Sequence, residues 1–150
     1  MTDFAIQLQE FVDKAGGRAN EAVGAIVVGL HAKVDARSPV GDANYWKSPA
    51  PKGYVGGQFR ANWQLGVGSL PGGSIVQPDP SGSTVRARIE AAIPEDAAGR
   101  VFYLANNLPY AQRLEDGWSR QAPLGMVSLA LVEIQDVVDN AVEAAKARLP

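Results

Sequence analysis

Catalysis needs titratable or nucleophilic groups set within reach of one another, and this chain is poor in them. It has one histidine, His31, and no cysteine. That excludes thiolate nucleophiles, disulfides and cysteine-ligated zinc. No HExxH pattern occurs, and His31 falls mid-way along an apolar-periodic run, the setting of an ordinary packed or surface histidine. Glu95–Asp96 and Glu115–Asp116 pair carboxylates as sequence neighbours. A glycosidase pair faces across a bond, whereas adjacent acids read as solvated turns. The "GVGSLPGG" stretch lacks both the GxGxxG order and a GK[ST] ending, so it reads as a strand end and a flexible turn rather than a phosphate cradle. The residue inventory argues against an enzyme and against a zinc site.

Six arginines, Arg60, Arg86, Arg88, Arg100, Arg113 and Arg120, offer a local basic patch. Formal charge is -2 and the sequence pI is about 5.4, so no global basic field points to nucleic acid, and the arginines lack an interleaved aromatic comb. A solvated face or inter-subunit salt bridges fit them better.

The elements that would position these groups follow from periodicity. A length of 150 residues with 46% hydrophobic and 20% charged content fits one domain with a sizeable core. No apolar run reaches ~18 residues, so no membrane span is expected. The acidic N-terminus is unlike a secretory signal, and the reading is a soluble protein of a cytoplasm. Phe4, Leu8, Phe11 and Val12 share one face of a first helix, which Gly16 and Gly17 are expected to end or loosen. Val23, Ile26, Val27, Leu30 and Val34 make the stripe of a second, which Pro39 stops. Residues 41–57 read as a long exposed loop, of a length that is usually functional or disordered. Then the period drops to two. Trp63, Leu65 and Val67 alternate with polar residues or glycine, as do Val85, Ala87, Ile89 and Ala91 with Arg86, Arg88 and Glu90. "VFYLANN" is a third strand candidate, and "PYAQRLEDG" suits about two helical turns with Pro109 first. The end is an amphipathic helix of roughly 36 Å, with Val127, Leu131, Ile134, Val138, Ala141, Val142, Ala145 and Leu149 on its apolar side. The predicted fold is α+β, a small antiparallel sheet of 3–4 strands packed against long N- and C-terminal helices.

The stretch "NNLPYAQRLEDGWSRQAPLGMV", residues 106–127, is the densest in costly residue types. Pro109 and Pro123 fix two φ angles, and Gly117 and Gly125 permit tight turns. The expected result is a stiff loop that projects Tyr110, Glu115, Trp118 and Arg120. Of the three tryptophans, Trp63 belongs to the core, while Trp46 and Trp118 lie in turn-rich contexts where aromatic groups serve as interface anchors.

This stretch resembles a signature of the tail-completion, or neck, proteins of long-tailed bacteriophages. Asn106, Pro109, Tyr110 and Ala111 match its first part, and Glu115, Gly117, Ser119, Gln121, Ala122, Pro123, Gly125, Met126 and Val127 its second. An upstream block is similar too: Ser38–Pro39–Val40 closes the helix, then Gly57, Arg60, Asn62 and Trp63 lead into a strand. The chain departs from that pattern in its longer link, "GDANYWKSPAPKGYVG", and in Gln58, where arginine is common. The resemblance covers nearly the whole chain.

It implies a non-enzymatic virion protein that needs no cofactor, at the head-proximal end of the tail, made in the host cytoplasm. It further implies a homo-oligomeric ring, commonly hexameric, that encircles phage DNA without reading its sequence and meets head-closure, tail-terminator and tail-tube proteins. Ring contacts are head-to-tail, so two different patches must match. Tyr45, Trp46 and Tyr54 of the long loop, with Arg60 beside it, are candidates for one patch. Tyr110, Arg113, Glu115, Trp118 and Arg120 are candidates for the other. The competing reading is a prophage-encoded adaptor that binds a host protein as a monomer.

Overall fold

A computed structural model describes residues 2–42 and 48–148, with side chains from residue 13 onward. Helix α1 spans Thr2–Arg37 without interruption. The break expected at Gly16–Gly17 is absent: two glycines cost a helix about 2 kcal/mol together, too little to end one continued by good helix formers on both sides. The buried face of α1 carries Val27, His31 and Val34, followed by Ser38 just past its end.

A one-turn helix, α2 (Gln58–Ala61), leads into strand β1 (Trp63–Val67). Helix α3 spans Ser83–Ala92, and strand β2 (Phe102–Asn106) follows. The two strands pair antiparallel, with Trp63 opposite Asn106 and Val67 opposite Phe102. The sheet therefore has two strands, not three or four. The segment "TVRARIEAAI" is the helix α3, not a strand, because Val85 and Ile89 are four apart and satisfy a helical face as well as an alternating one. What decides is upstream. Asp79 is buried, and its carboxylate accepts the N–H groups of Gly82 at 3.1 Å and Val85 at 2.8 Å, which starts a helix. Gly82 makes the turn at φ +80°. As a helix, the segment points Arg86 and Arg88 in different directions. Arg86 is exposed, while Arg88 turns inward to donate to the carbonyls of Ala61 at 2.7 Å and Trp63 at 2.9 Å.

Helix α4 (Ala111–Glu115) is one turn rather than two and starts after Pro109. The C-terminal run is two helices, α5 (Val127–Val132) and α6 (Ile134–Arg148). They part at Glu133, whose carboxylate is held by Lys33 at 3.0 Å and by Arg37. The expected apolar stripe holds at Ala141 and Ala145 but is displaced in its first half. Met126, Ala130, Val137, Ala141 and Ala145 are buried, whereas Val127, Leu131 and Ile134 are exposed; Leu149 lies outside the described residues. Small residues face α1 because the two helices approach closely: a Cβ on Gly29 would lie 2.8 Å from Cγ1 of Val137. The pair runs antiparallel, with Arg37 beside Glu133 at one end and Glu21 beside Arg148 at the other. Between helices and sheet the core contains Val27, Val34, Phe59, Trp63, Val85, Ile89, Met126 and Ala130. Phe59 and Trp63 meet edge to face at 5.7 Å.

Candidate functional site

The two sequence blocks behind the phage resemblance meet in space. Gln121 makes a two-way bond with the backbone of Val40: its Oε1 accepts the Val40 N–H at 2.9 Å and its Nε2 donates to the Val40 carbonyl at 3.0 Å. The indole N–H of Trp63 donates to Ser38 Oγ at 2.7 Å, and that hydroxyl donates onward to the carbonyl of Val34. Asn106 donates to the carbonyl of Phe59 at 2.9 Å. Tyr110 leans on Phe59 with ring centroids 6.2 Å apart.

Within residues 106–127, Glu115 organises the turn. Its carboxylate accepts the N–H groups of Met126 (2.9 Å), Val127 (3.0 Å) and Ser128 (2.9 Å), and the Ser128 hydroxyl at 2.7 Å. It thereby caps α5 from eleven residues upstream. Partial burial pushes this carboxyl upward, but the bonds from Met126, Ser128 and Val127 outweigh that and hold it below the ordinary glutamate range. Gly125 has φ +82°, and a Cβ there would stand 2.7 Å from Glu115 Oε1. Gly117 has φ +88° and packs on the carbonyl of Pro123. Both glycines are required by positive φ and by close approach.

The candidate interface residues therefore divide. Trp118 is 72% exposed, and its ring lies 5.1 Å under the Arg113 guanidinium. Arg120 is exposed and lines an open groove with Val40, Gly41, Tyr54, Ser119 and Gln121. Tyr54 and Tyr110 are partly exposed. Glu115 is committed to the cap. Arg60 faces inward: it donates to the carbonyls of Pro80 at 2.6 Å and Asp35 at 3.0 Å, and its Nε lies 3.2 Å from Asp35 Oδ1. Tyr45 and Trp46 lie outside the described residues.

The long loop is pinched at its neck. Gly56 lies so close to Gly41 that a Cβ on it would overlap the Gly41 carbonyl oxygen.

Behind this surface lies a buried polar cluster. His31 is 1% exposed and its Nε2 has no hydrogen-bond partner among the described residues. Burial, reinforced by Arg86, Arg88 and Arg60, lowers its pKa to about 4, so it is neutral at pH 7. One turn on, Asp35 is buried against Arg60. Burial raises its carboxyl, with a push from Asp79 and against the pull of Arg60 and Arg86.

Sequence reasoning put Val127, Leu131 and Ile134 on the apolar side of the last helix, but all three are exposed, as are Leu124 and, at 81%, Val132. Two apolar stripes run through this stretch, and nothing in a sequence says which of them the core will take. Among the described residues no three His, Cys, Asp or Glu side chains converge on a metal position, and no helix is long and apolar enough to cross a membrane. The chain matches no protein-family model, no curated protein and no solved structure.

Proposed function

We propose that this chain is a structural virion protein of a tailed phage. It sits at the head–tail junction in a homo-oligomeric ring around the DNA and joins the tail to the capsid connector through head-closure, tail-terminator and tail-tube proteins. No catalytic role is assigned to it. The observation that carries the reading is the interlock of the two resembling blocks, Gln121 on Val40 and Asn106 on Phe59, with Trp63 on Ser38 tying the upstream block to itself. Residues of the two resembling blocks thus cooperate in one scaffold, with Trp118, Arg113 and Arg120 at its surface. Exposed aromatic and arginine groups suit a subunit interface.

Electron microscopy of lysates from phage lacking this gene tests the role. Separate filled heads and tails, or tails of wrong length, are expected. Intact infectious particles would remove the chain from the neck and favour a host-directed adaptor. In purified protein, Trp118→Ala and Tyr110→Ala are expected to stay folded and lose assembly. Unfolding of both would make the stretch core rather than interface.

A further inference from the structure

We infer that the exposed tip formed by Arg113, Trp118 and Arg120 docks in an acid-rimmed groove between α1 and α3 of a second copy of this chain. This rests on the ring reading above and names the surface that receives the tip.

The groove follows from what α1 lacks. Gly24 and Ala25 put almost no side chain on the side of α1 that faces the end of α3, so the helix surface is recessed there. The recess has a volume of about 630 Å³, which admits a drug-sized group. Val28, Ile93 and Pro94 give it an apolar, half-buried floor. Its rim is acidic. Glu90, near the end of α3, and Glu95, just past it, are exposed and have no cation beside them among the described residues. Arg148, the cation on the rim, is taken up by Glu21. Two unpaired carboxylates above an apolar floor select a partner that is apolar at its centre and cationic at its edges.

The tip has that pattern. Trp118 is 72% exposed, and the Arg113 guanidinium stacks 5.1 Å from its ring centroid. A guanidinium stacked on a ring keeps its N–H edges free for a carboxylate. Arg120, two residues on, is exposed as well. Neither arginine is paired with a carboxylate among the described residues. In the docked pair the indole seats on Val28 and Ile93, and the guanidinium groups meet Glu90 and Glu95. Tryptophan and arginine are the residue types whose burial contributes most at interfaces.

Within one chain the two surfaces do not meet. Trp118 stays exposed, and Gln121 ties its loop to Val40, beyond the C-terminal end of α1. The groove lies further back along the same helix: from Val28 to Arg37 alone is about 14 Å at 1.5 Å per residue. Two different surfaces of one rigid body make a heterologous contact, which closes into a ring or runs on as a filament.

Light scattering on the purified full-length chain reads the contact. Glu90→Arg/Glu95→Arg reverses the rim, and Arg113→Glu/Arg120→Glu reverses the tip. All four side chains are exposed, so each double variant is expected to keep the parent's circular dichroism and to be monomeric where the parent is assembled. Mixing the two is expected to restore assembly, because each reversed surface then meets its opposite charge on a neighbour. The chain has no cysteine, so a Glu95→Cys/Arg120→Cys double variant is expected to give a ladder of disulfide-linked multimers on oxidation. Either charge-reversed variant assembling as the parent does, a mixture that stays monomeric, or a parent that is monomeric at millimolar concentration and forms no ladder overturns the inference. A tip–groove contact in a protein whose loss leaves infectious particles would reject the neck role and leave the contact standing; tail defects without this contact would do the reverse.

Discussion

Replacing Glu115 by alanine removes the one acceptor shared by three backbone N–H groups and a hydroxyl. The groups are not equivalent. Val127 and Ser128 are exposed, so water replaces the carboxylate there, and the loss is that of an ordinary helix cap, about 0.5–1 kcal/mol. Met126 is buried, and an orphaned buried donor costs about 1–3 kcal/mol. The expected destabilisation is about 2–3 kcal/mol, a fall in Tm of roughly 5–10 °C for a chain of this size. Glu115→Gln keeps a neutral acceptor and is expected to cost about half as much. The pH dependence carries a sign. The folded pKa lies below the ordinary glutamate value, so this stability is complete above that value, near 4.5, and is lost as pH falls through the lower folded pKa. Calorimetry of parent, Glu115→Gln and Glu115→Ala between pH 7 and 3 reads all of this. If Glu115→Ala lies within about 0.5 kcal/mol of the parent and the acid limb is unchanged in both variants, the capping argument is wrong.

His31 has a folded pKa of about 4 against an ordinary 6.5, so unfolding takes up a proton as pH falls below 6.5 and the parent weakens by about 1.4 kcal/mol by pH 5.5. His31→Gln is expected to flatten that part of a urea-denaturation profile; an equal slope in the variant refutes it. Asp35→Ala strands the Arg60 guanidinium and is expected to cost about 3 kcal/mol, part of which Arg60→Leu recovers in a double-mutant cycle read by urea denaturation. Asp79→Ala removes the buried start signal of α3 and is expected to cost about 2 kcal/mol, measured by thermal unfolding in far-ultraviolet circular dichroism.

The mixed helix-and-sheet character, the long terminal helices, the strands at 63–67 and 102–106 and the buried Trp63 were legible from periodicity alone. The misreadings share one cause: local spacing fits two structures, and a distant side chain chooses. Val85 and Ile89 fit strand or helix until Asp79 caps the segment. The C-terminal stripe reads as one helix until Lys33 and Arg37 hold Glu133. Residues 106–127 looked like one projecting loop, but Glu115 serves the cap and Gln121 the Val40 tether, leaving Trp118, Arg113 and Arg120 to face out. Arg60 carries no sign in the sequence of its buried partner Asp35, which lies 25 positions away.

The pinch of Gly41 against Gly56 makes the intervening chain a cassette. Its two ends are joined by backbone approach and by the Gln121 clamp on Val40, and Tyr54 near its second end lies against Gly41. Doubling the length of a closed loop costs only about 0.6 kcal/mol. A loop of another length can therefore be closed at this point at small entropic cost to the scaffold, and divergence of contact preference can proceed there by changes of loop length.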